Sequence, residues 1–142
     1  MEQGYKSVGI IGAGASGCVC AYFLLKSGME NVTLFDYSYP LRTLLPTGGG
    51  RCNFAHAEYD FKELASNYPR GEKFLYSVFS SFSTSDTLNL FEEFRIKSYT
   101  QKDGRIFPTS NDSKDVRTKI LEKIKKAEFV KEKVLRIKPI EN

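Results

Sequence analysis

The sequence predicts an α/β fold opened by a βαβ unit and built on a parallel sheet, and three features carry that expectation. A short, apolar, β-branched run at Val8–Ile11 is followed at once by a glycine-rich loop, Gly12-Ala13-Gly14-Ala15-Ser16-Gly17. A helix-length stretch then leads to a second apolar run that ends on a carboxylate, Asn31–Asp36. Strand, helix and strand together take about thirty residues, the size of one βαβ unit.

Taken in order, Ser7–Ile11 has the composition of a strand buried on both faces of a parallel sheet. The glycines open a helix from about Ala15 to Ser27, with Cys18, Cys20, Ala21, Leu24 and Leu25 available to pack on the sheet. Gly28 is placed to end it, because a left-handed residue after the last turn is most easily a glycine. Asn31–Asp36 is the second strand. Tyr37–Asn53 contains Pro40, Pro46 and three consecutive glycines, so it reads as a loop with at most a helical turn. Added helices are expected at Phe61–Asn67, Glu72–Phe82 and Ser85–Phe94, the last with Leu88, Phe91 and Phe94 near one face.

Ile96–Tyr99 and Arg105–Phe107 flank Lys102-Asp103-Gly104, which predicts a hairpin closed by Pro108. Asp112 then caps a helix, with Asp115 as the partner of a capping box. Val116, Ile120, Ile124 and Ala127 form its apolar stripe. Phe129–Ile137 alternates apolar and charged residues and reads as a further strand, stopped by Pro139.

Composition narrows the function classes. The chain has 142 residues, 41% of them hydrophobic and 27% charged, which is an ordinary balance for one globular domain. The net charge is +4, and between Lys114 and Lys138 ten basic residues stand against four acids. No aromatic platform or recognition motif accompanies them, so the run reads as a solvated face and no nucleic-acid partner is expected. Three cysteines, an odd count with no paired spacing, point to a reducing cytoplasm. Cys18-x-Cys20 is not a redox pair, and His56, the single histidine, has no partners for a metal site, so none is expected. The apolar stretch Val8–Leu25 is broken by glycines and lacks a cleavage signal; neither export nor membrane insertion is expected.

The glycine loop is where chemistry enters. Glycines at 12, 14 and 17 follow a strand, open a helix and precede an acidic strand end separated from Gly17 by eighteen residues. That is the pattern of a Rossmann-like dinucleotide-binding fold. Gly12 permits the tight turn, Gly14 lets the backbone approach a pyrophosphate, and Gly17 allows close helix–strand packing. The helix N-terminus offers free N–H groups to phosphate. Asp36 accepts from ribose hydroxyls and repels a 2′-phosphate, which leaves NAD and FAD as alternatives. Thr47-Gly48-Gly49-Gly50-Arg51-Cys52-Asn53 is a second marked loop. Its glycines expose backbone amides, and Arg51 is placed to neutralise a phosphate or a reduced-flavin anion. A plain NAD domain does not need this loop, so it tilts the reading toward FAD.

Gly12–Gly17, the 47–53 loop and Gly104-Arg105-Ile106-Phe107-Pro108 together resemble, in order, the signatures of a family of bacterial FAD-dependent oxidoreductases. That family includes aminoacetone oxidase and bile-acid reductases. The resemblance implies that Gly12, Ala13, Gly14 and Ser16, with Ala15 and Gly17 completing the loop, line the FAD pyrophosphate. It places Asp36 on the adenosine ribose, Gly49, Gly50, Arg51, Cys52 and Asn53 beside the flavin, and the Val134 backbone on adenine. Leu41 and Thr43 stand where the family has a glycine and a lysine, and Ala55-His56 replaces a Thr-Asn pair. Family members are longer, so residues 1–142 are expected to form an incomplete, N-terminal part of the FAD-binding domain. The substrate domain and the C-terminal return would be absent.

The resemblance implies hydride transfer through FAD for an unknown small-molecule substrate, with NAD(P)H as a possible electron donor. No catalytic residue is singled out. The alternatives are a non-catalytic adenine-nucleotide module and an NAD-binding domain.

Overall fold

The computed structural model describes residues 7–139. They form two compact units, residues 7–45 with 120–139 in one and Pro46–Lys119 in the other.

The first unit is the predicted βαβ arrangement with a third strand. Strand β1 (Val8–Ile11) leads through helix α1 (Ala15–Lys26) to β2 (Val32–Phe35), and the two strands pair in parallel from Val8↔Val32 to Ile11↔Phe35. Strand β6 (Glu128–Val130) adds in parallel on the far side of β2, giving the order β1-β2-β6. Helix α1 packs on β1 and β2, burying Cys18, Ala21 and Tyr22 together with Val32 and Leu34 of the sheet. Each Val or Leu so covered contributes about 1.5–3 kcal/mol. Gly28, at φ +92°, ends α1 as expected: its N–H donates to Leu25 O and that of Met29 to Leu24 O, the paired bonds of a Schellman motif.

Three expectations need correction in this unit. Strand β1 is not buried on both faces: Gly9 and Ile11 are exposed, Ile11 to 58%. Ile10 faces α1, whereas the opposite face is uncovered, and among the described residues β1 is an edge strand. The strand expected at Phe129–Ile137 shrinks to Glu128–Val130 because its partner ends first. The last rung is Asp36 N–H to Val130 O at 3.1 Å, and residues 131–139 have no ladder to join. Cys20 also differs from expectation, lying on the exposed side of α1.

The second unit holds the helices and hairpin. It runs through a single tight turn, α2 (Thr47–Gly50), whose glycines are left-handed, then β3 (Ala55–His56), α3 (Phe61–Ser66), α4 (Glu72–Ser81), α5 (Thr84–Glu93), β4 (Ser98–Thr100) and β5 (Arg105–Pro108). The sheet is antiparallel in the order β3-β5-β4. Phe91, Phe94, Ile96, Ile106 and Phe107 form its core, with Phe54 stacked on Phe91 at 3.9 Å. Asp60 caps α3, and Ser83 with Asp86 forms a reciprocal capping box on α5. The hairpin turns through Gly104 at φ +81°, whose N–H donates to Gln101 O.

Helix α6 (Ser113–Lys123) carries the chain back to the first unit's residues. Val116 and Ile120 are buried as its stripe predicts, whereas Ile124, also buried, and half-buried Ala127 lie past the helix end at Lys123. Asp112 does cap it, accepting from Lys114 N–H at 2.8 Å. Asp115 instead holds Lys119, four residues on, at 2.8 Å. An opposite charge at that helical spacing outcompetes the reach back to the cap.

Candidate nucleotide-binding site

Each fingerprint glycine meets a distinct constraint. Gly12 sits at φ +98°, where a side chain would be strained, and its N–H donates to Phe35 O at 2.8 Å. Gly17 lies in the first turn of α1, and a Cβ there would come within 1.9 Å of Gly12 O. Gly14 is the N-cap of α1, and a Cβ on it would meet nothing within 4 Å. Helix and loop therefore touch through Gly17, while the backbone at Gly14 stays open to a ligand. No acidic side chain occupies the first turn of α1, so its free N–H groups and positive dipole end are not neutralised there.

Asp36 closes this loop. Its Oδ2 accepts from Ala13 N–H at 2.8 Å and its Oδ1 from Ser38 N–H at 2.9 Å. These amides, Ala13 before Ser38, hold the carboxyl below its ordinary range, outweighing partial burial, and the Arg42 guanidinium adds to the effect. Ala13 O in turn accepts from Leu41 N–H at 2.8 Å. Leu41 is fully buried and takes φ +58°, left-handed backbone at the position where the resembled family carries glycine. The loop is thus tied from both sides before any ligand arrives. A carboxylate oxygen has further lone pairs, so Asp36 keeps capacity to accept from a ribose hydroxyl. Beside Gly14 and Asp36 lies a cavity of about 110 Å³, also bounded by Ser38, Arg42 and Thr43.

The 47–53 loop belongs to the second unit and is ordered by its own contacts. Gly48, Gly49, Gly50 and Cys52 all have positive φ, from +58° to +85°. A Cβ on Gly48 would lie 2.7 Å from Asn53 N and 2.8 Å from the Phe107 ring. Arg51 stacks its guanidinium 4.0 Å over that ring and donates from Nε to Gly48 O at 3.1 Å. Asn53, with its amide nitrogen turned inward, donates to Ile106 O and Ala55 O, each at 3.0 Å. Cys52 is buried, which pushes its thiol up, with a smaller opposing hydrogen bond from Thr47. That is the setting of a packed thiol, not of a reactive thiolate.

The residues expected around FAD thus divide between the two units. Gly12–Gly17, Asp36 and Val134 are in the first, and Gly49–Asn53 in the second. The structure brings Gly12–Gly17 and Asp36 together. Val134 is half-buried in a segment without regular structure, not in a strand. Exposed His56 lies with Nε2 3.1 Å from Asp103 O. Among the described residues no group of three or more His, Cys, Asp or Glu is placed to hold a metal ion. No helix there is long and apolar enough to cross a membrane. Sequence pattern alone does not single out Arg42 or Tyr37 at the cavity. The available signal was weak: an arginine six residues past the acidic strand end, between Pro40 and Pro46.

A glycine loop between parallel strands, closed by a carboxylate at the end of the second, defines a Rossmann-like nucleotide-binding unit. Comparison with known proteins makes this specific: residues 6–142 match the HI0933-like protein Rossmann domain, and the chain belongs to that FAD-binding family. It is 35% identical over 99 residues to a ribosomal RNA dihydrouridine synthase of Haemophilus influenzae, covering 69% of this chain and 24% of that protein. A 3-dehydro-bile acid delta(4,6)-reductase of Clostridium scindens is 33% identical over 113 residues, covering 77% of this chain and 26% of that protein. The chain therefore spans about a quarter of the length of these relatives. The crystal structure of Thermovibrio ammonificans THI4 shares the fold, with a TM-score of 0.50 and 19% identity over 88% of this chain and 38% of that one.

Proposed function

We propose that this chain is the FAD-binding portion of a flavin-dependent oxidoreductase. The observation that carries the reading is the Asp36–Ala13 bond, which closes the glycine loop beside an open Gly14 backbone at the start of α1. A cradle that a larger side chain would fill, left open at a helix N-terminus, fits a pyrophosphate. Gly12–Gly17 would hold the pyrophosphate and Asp36 the adenosine ribose. The 47–53 loop, with left-handed backbone at Gly48, Gly49, Gly50 and Cys52 and a guanidinium at Arg51, supports a flavin beside Gly49–Asn53 rather than a nicotinamide. When bound, FAD supplies hydride transfer, and the protein binds and orients it. An electron donor such as NAD(P)H, a small-molecule substrate and a reducing cytoplasm complete the proposal. The three cysteines, all free thiols, accord with that compartment.

The test is reconstitution with FAD followed by titration calorimetry. A yellow protein with a flavin absorption band is expected, and Arg51→Ala should weaken FAD binding. Protein that takes up no FAD but gives heat with NAD or ADP would overturn the flavin reading.

A second reading concerns the substrate. Two relatives bear the name ribosomal RNA dihydrouridine synthase, from Haemophilus influenzae and, at 30% identity, Escherichia coli. In this chain Lys125, Lys126, Lys131, Lys133, Arg136 and Lys138 are all exposed, against only Glu128 and Glu132 in the same stretch. Together with that name, such a run supports an RNA substrate held through its phosphates, in place of the merely solvated face expected from the sequence. Binding to a ribosomal RNA fragment that weakens steeply with salt would favour it over a free small molecule. Absence of RNA binding at low salt would refute it.

A further inference from the structure

The cavity beside Gly14 carries charges of both signs. On one side is the Asp36 carboxylate, fixed by two backbone amides. Arg42 and Thr43 also line it, with Tyr37 and Tyr39, residues that are 64% and 46% exposed. Arg42 starts the 3-10 turn Arg42–Leu44 immediately after Leu41, whose N–H is bound to Ala13 O. The backbone that presents Arg42 is thus anchored to the phosphate loop itself. Its side chain is exposed, and the guanidinium donates to Tyr37 Oη at 3.3 Å. It stands close enough to Asp36 to favour the ionised carboxylate. A planar cation tethered to an exposed aromatic ring, facing a fixed acceptor, suits a ligand with hydroxyls at one point and a flat base or a phosphate next to it.

We propose that Arg42 is a specificity-determining contact for the adenosine diphosphate half of the dinucleotide, with Tyr37 holding its guanidinium over the same cavity where Asp36 receives the ribose. This rests on the reading of the site as one for FAD. Because Arg42 is exposed, it contributes to ligand binding and little to folding. A contact confined to the adenosine end lowers affinity for FAD and for ADP alike.

The experiment titrates wild-type protein, Arg42→Ala and Arg42→Gln with FAD, with ADP and with FMN by calorimetry, and records the melting temperature of each ligand-free protein. Both substitutions should weaken FAD and ADP by about tenfold. FMN, which lacks the adenosine half, should respond equally in all three proteins, and ligand-free melting should be unchanged. Variants that bind FAD and ADP as tightly as wild type overturn the role of Arg42 while leaving the FAD reading intact. Loss of FAD affinity without loss of ADP affinity overturns it too, since the effect then lies outside the adenosine end. Wild-type protein that binds neither FAD nor ADP overturns the underlying reading of the site instead.

Discussion

Gly17→Ala tests the contact on which the nucleotide loop is built. The added Cβ would sit 1.9 Å from Gly12 O, 3.1 Å from Gly12 C and 3.4 Å from Ile10 Cγ2. Bringing the first of these to 3.0 Å requires helix and loop to part by about 1.1 Å. The obstacle is backbone, held by the Gly12 N–H bond to Phe35 O and the Asp36 bond to Ala13, so no side chain can rotate out of the way. Overpacking of a rigid site costs about 1–3 kcal/mol, and a backbone clash belongs at the upper end. For a chain of this size about 3 kcal/mol lowers the melting temperature by roughly 10 °C.

Gly14→Ala is the matched control. Its φ of −76° is ordinary and a Cβ there is in open space. Its folding cost should not exceed about 1 kcal/mol, the price of a poorer N-cap, while the methyl intrudes where a phosphate would approach. Melting followed by circular dichroism, with FAD or ADP titration of the folded protein, separates the two effects. Gly17→Ala should lose stability and binding, and Gly14→Ala chiefly binding. A Gly17→Ala protein that melts and binds like wild type would refute the close packing of α1 on the loop.

Three further perturbations follow from the same geometry. The Asp36 carboxyl is held below its ordinary range in the folded chain, so its contribution is full above the unfolded value near 3.9 and is lost as pH falls through the folded value. Asp36→Asn should therefore flatten the acid limb of the wild-type stability profile, and a parallel profile would show that the carboxylate does not tie the loop. Leu41→Gly relieves left-handed strain of about 1 kcal/mol but removes a fully buried side chain worth about 2–5 kcal/mol. The net result should be a lower urea midpoint despite a better backbone fit; a higher midpoint would mean that strain dominates. Gly104→Ala combines φ +81° with a Cβ only 2.5 Å from His56 Nε2. Thermal melting should show a loss that His56→Ala recovers in part, because only the ring contact, not the backbone strain, can be removed; no recovery would mean that the clash costs nothing.

Much of the local architecture was legible from residue type and spacing. Glycines at 12, 14 and 17 and a carboxylate at 36 are short-range requirements of one turn and one strand end, so they identify a Rossmann-like unit without tertiary information. Gly28 and the Val116–Ile120 pair are legible for the same reason, since capping and helical periodicity are local. Strand length and burial are not. Whether β1 is covered on both faces, or β6 extends past Val130, depends on which other strands exist to pair with them. Asp115 could satisfy a cap or a lysine, and only the folded helix chose Lys119.

The division at the site is similar. By itself the sequence determined that a glycine loop and an acidic strand end belong to one nucleotide-binding unit, because their spacing along the chain is their spacing in a βαβ fold. Only the tertiary structure decided that Asp36 clasps the Ala13 amide, that Leu41 occupies left-handed backbone to bind Ala13 O, and that Arg42 lines the cavity beside Gly14. Those contacts join residues 23 to 28 positions apart through hydrogen-bond directions and side-chain reach, which residue order alone does not specify.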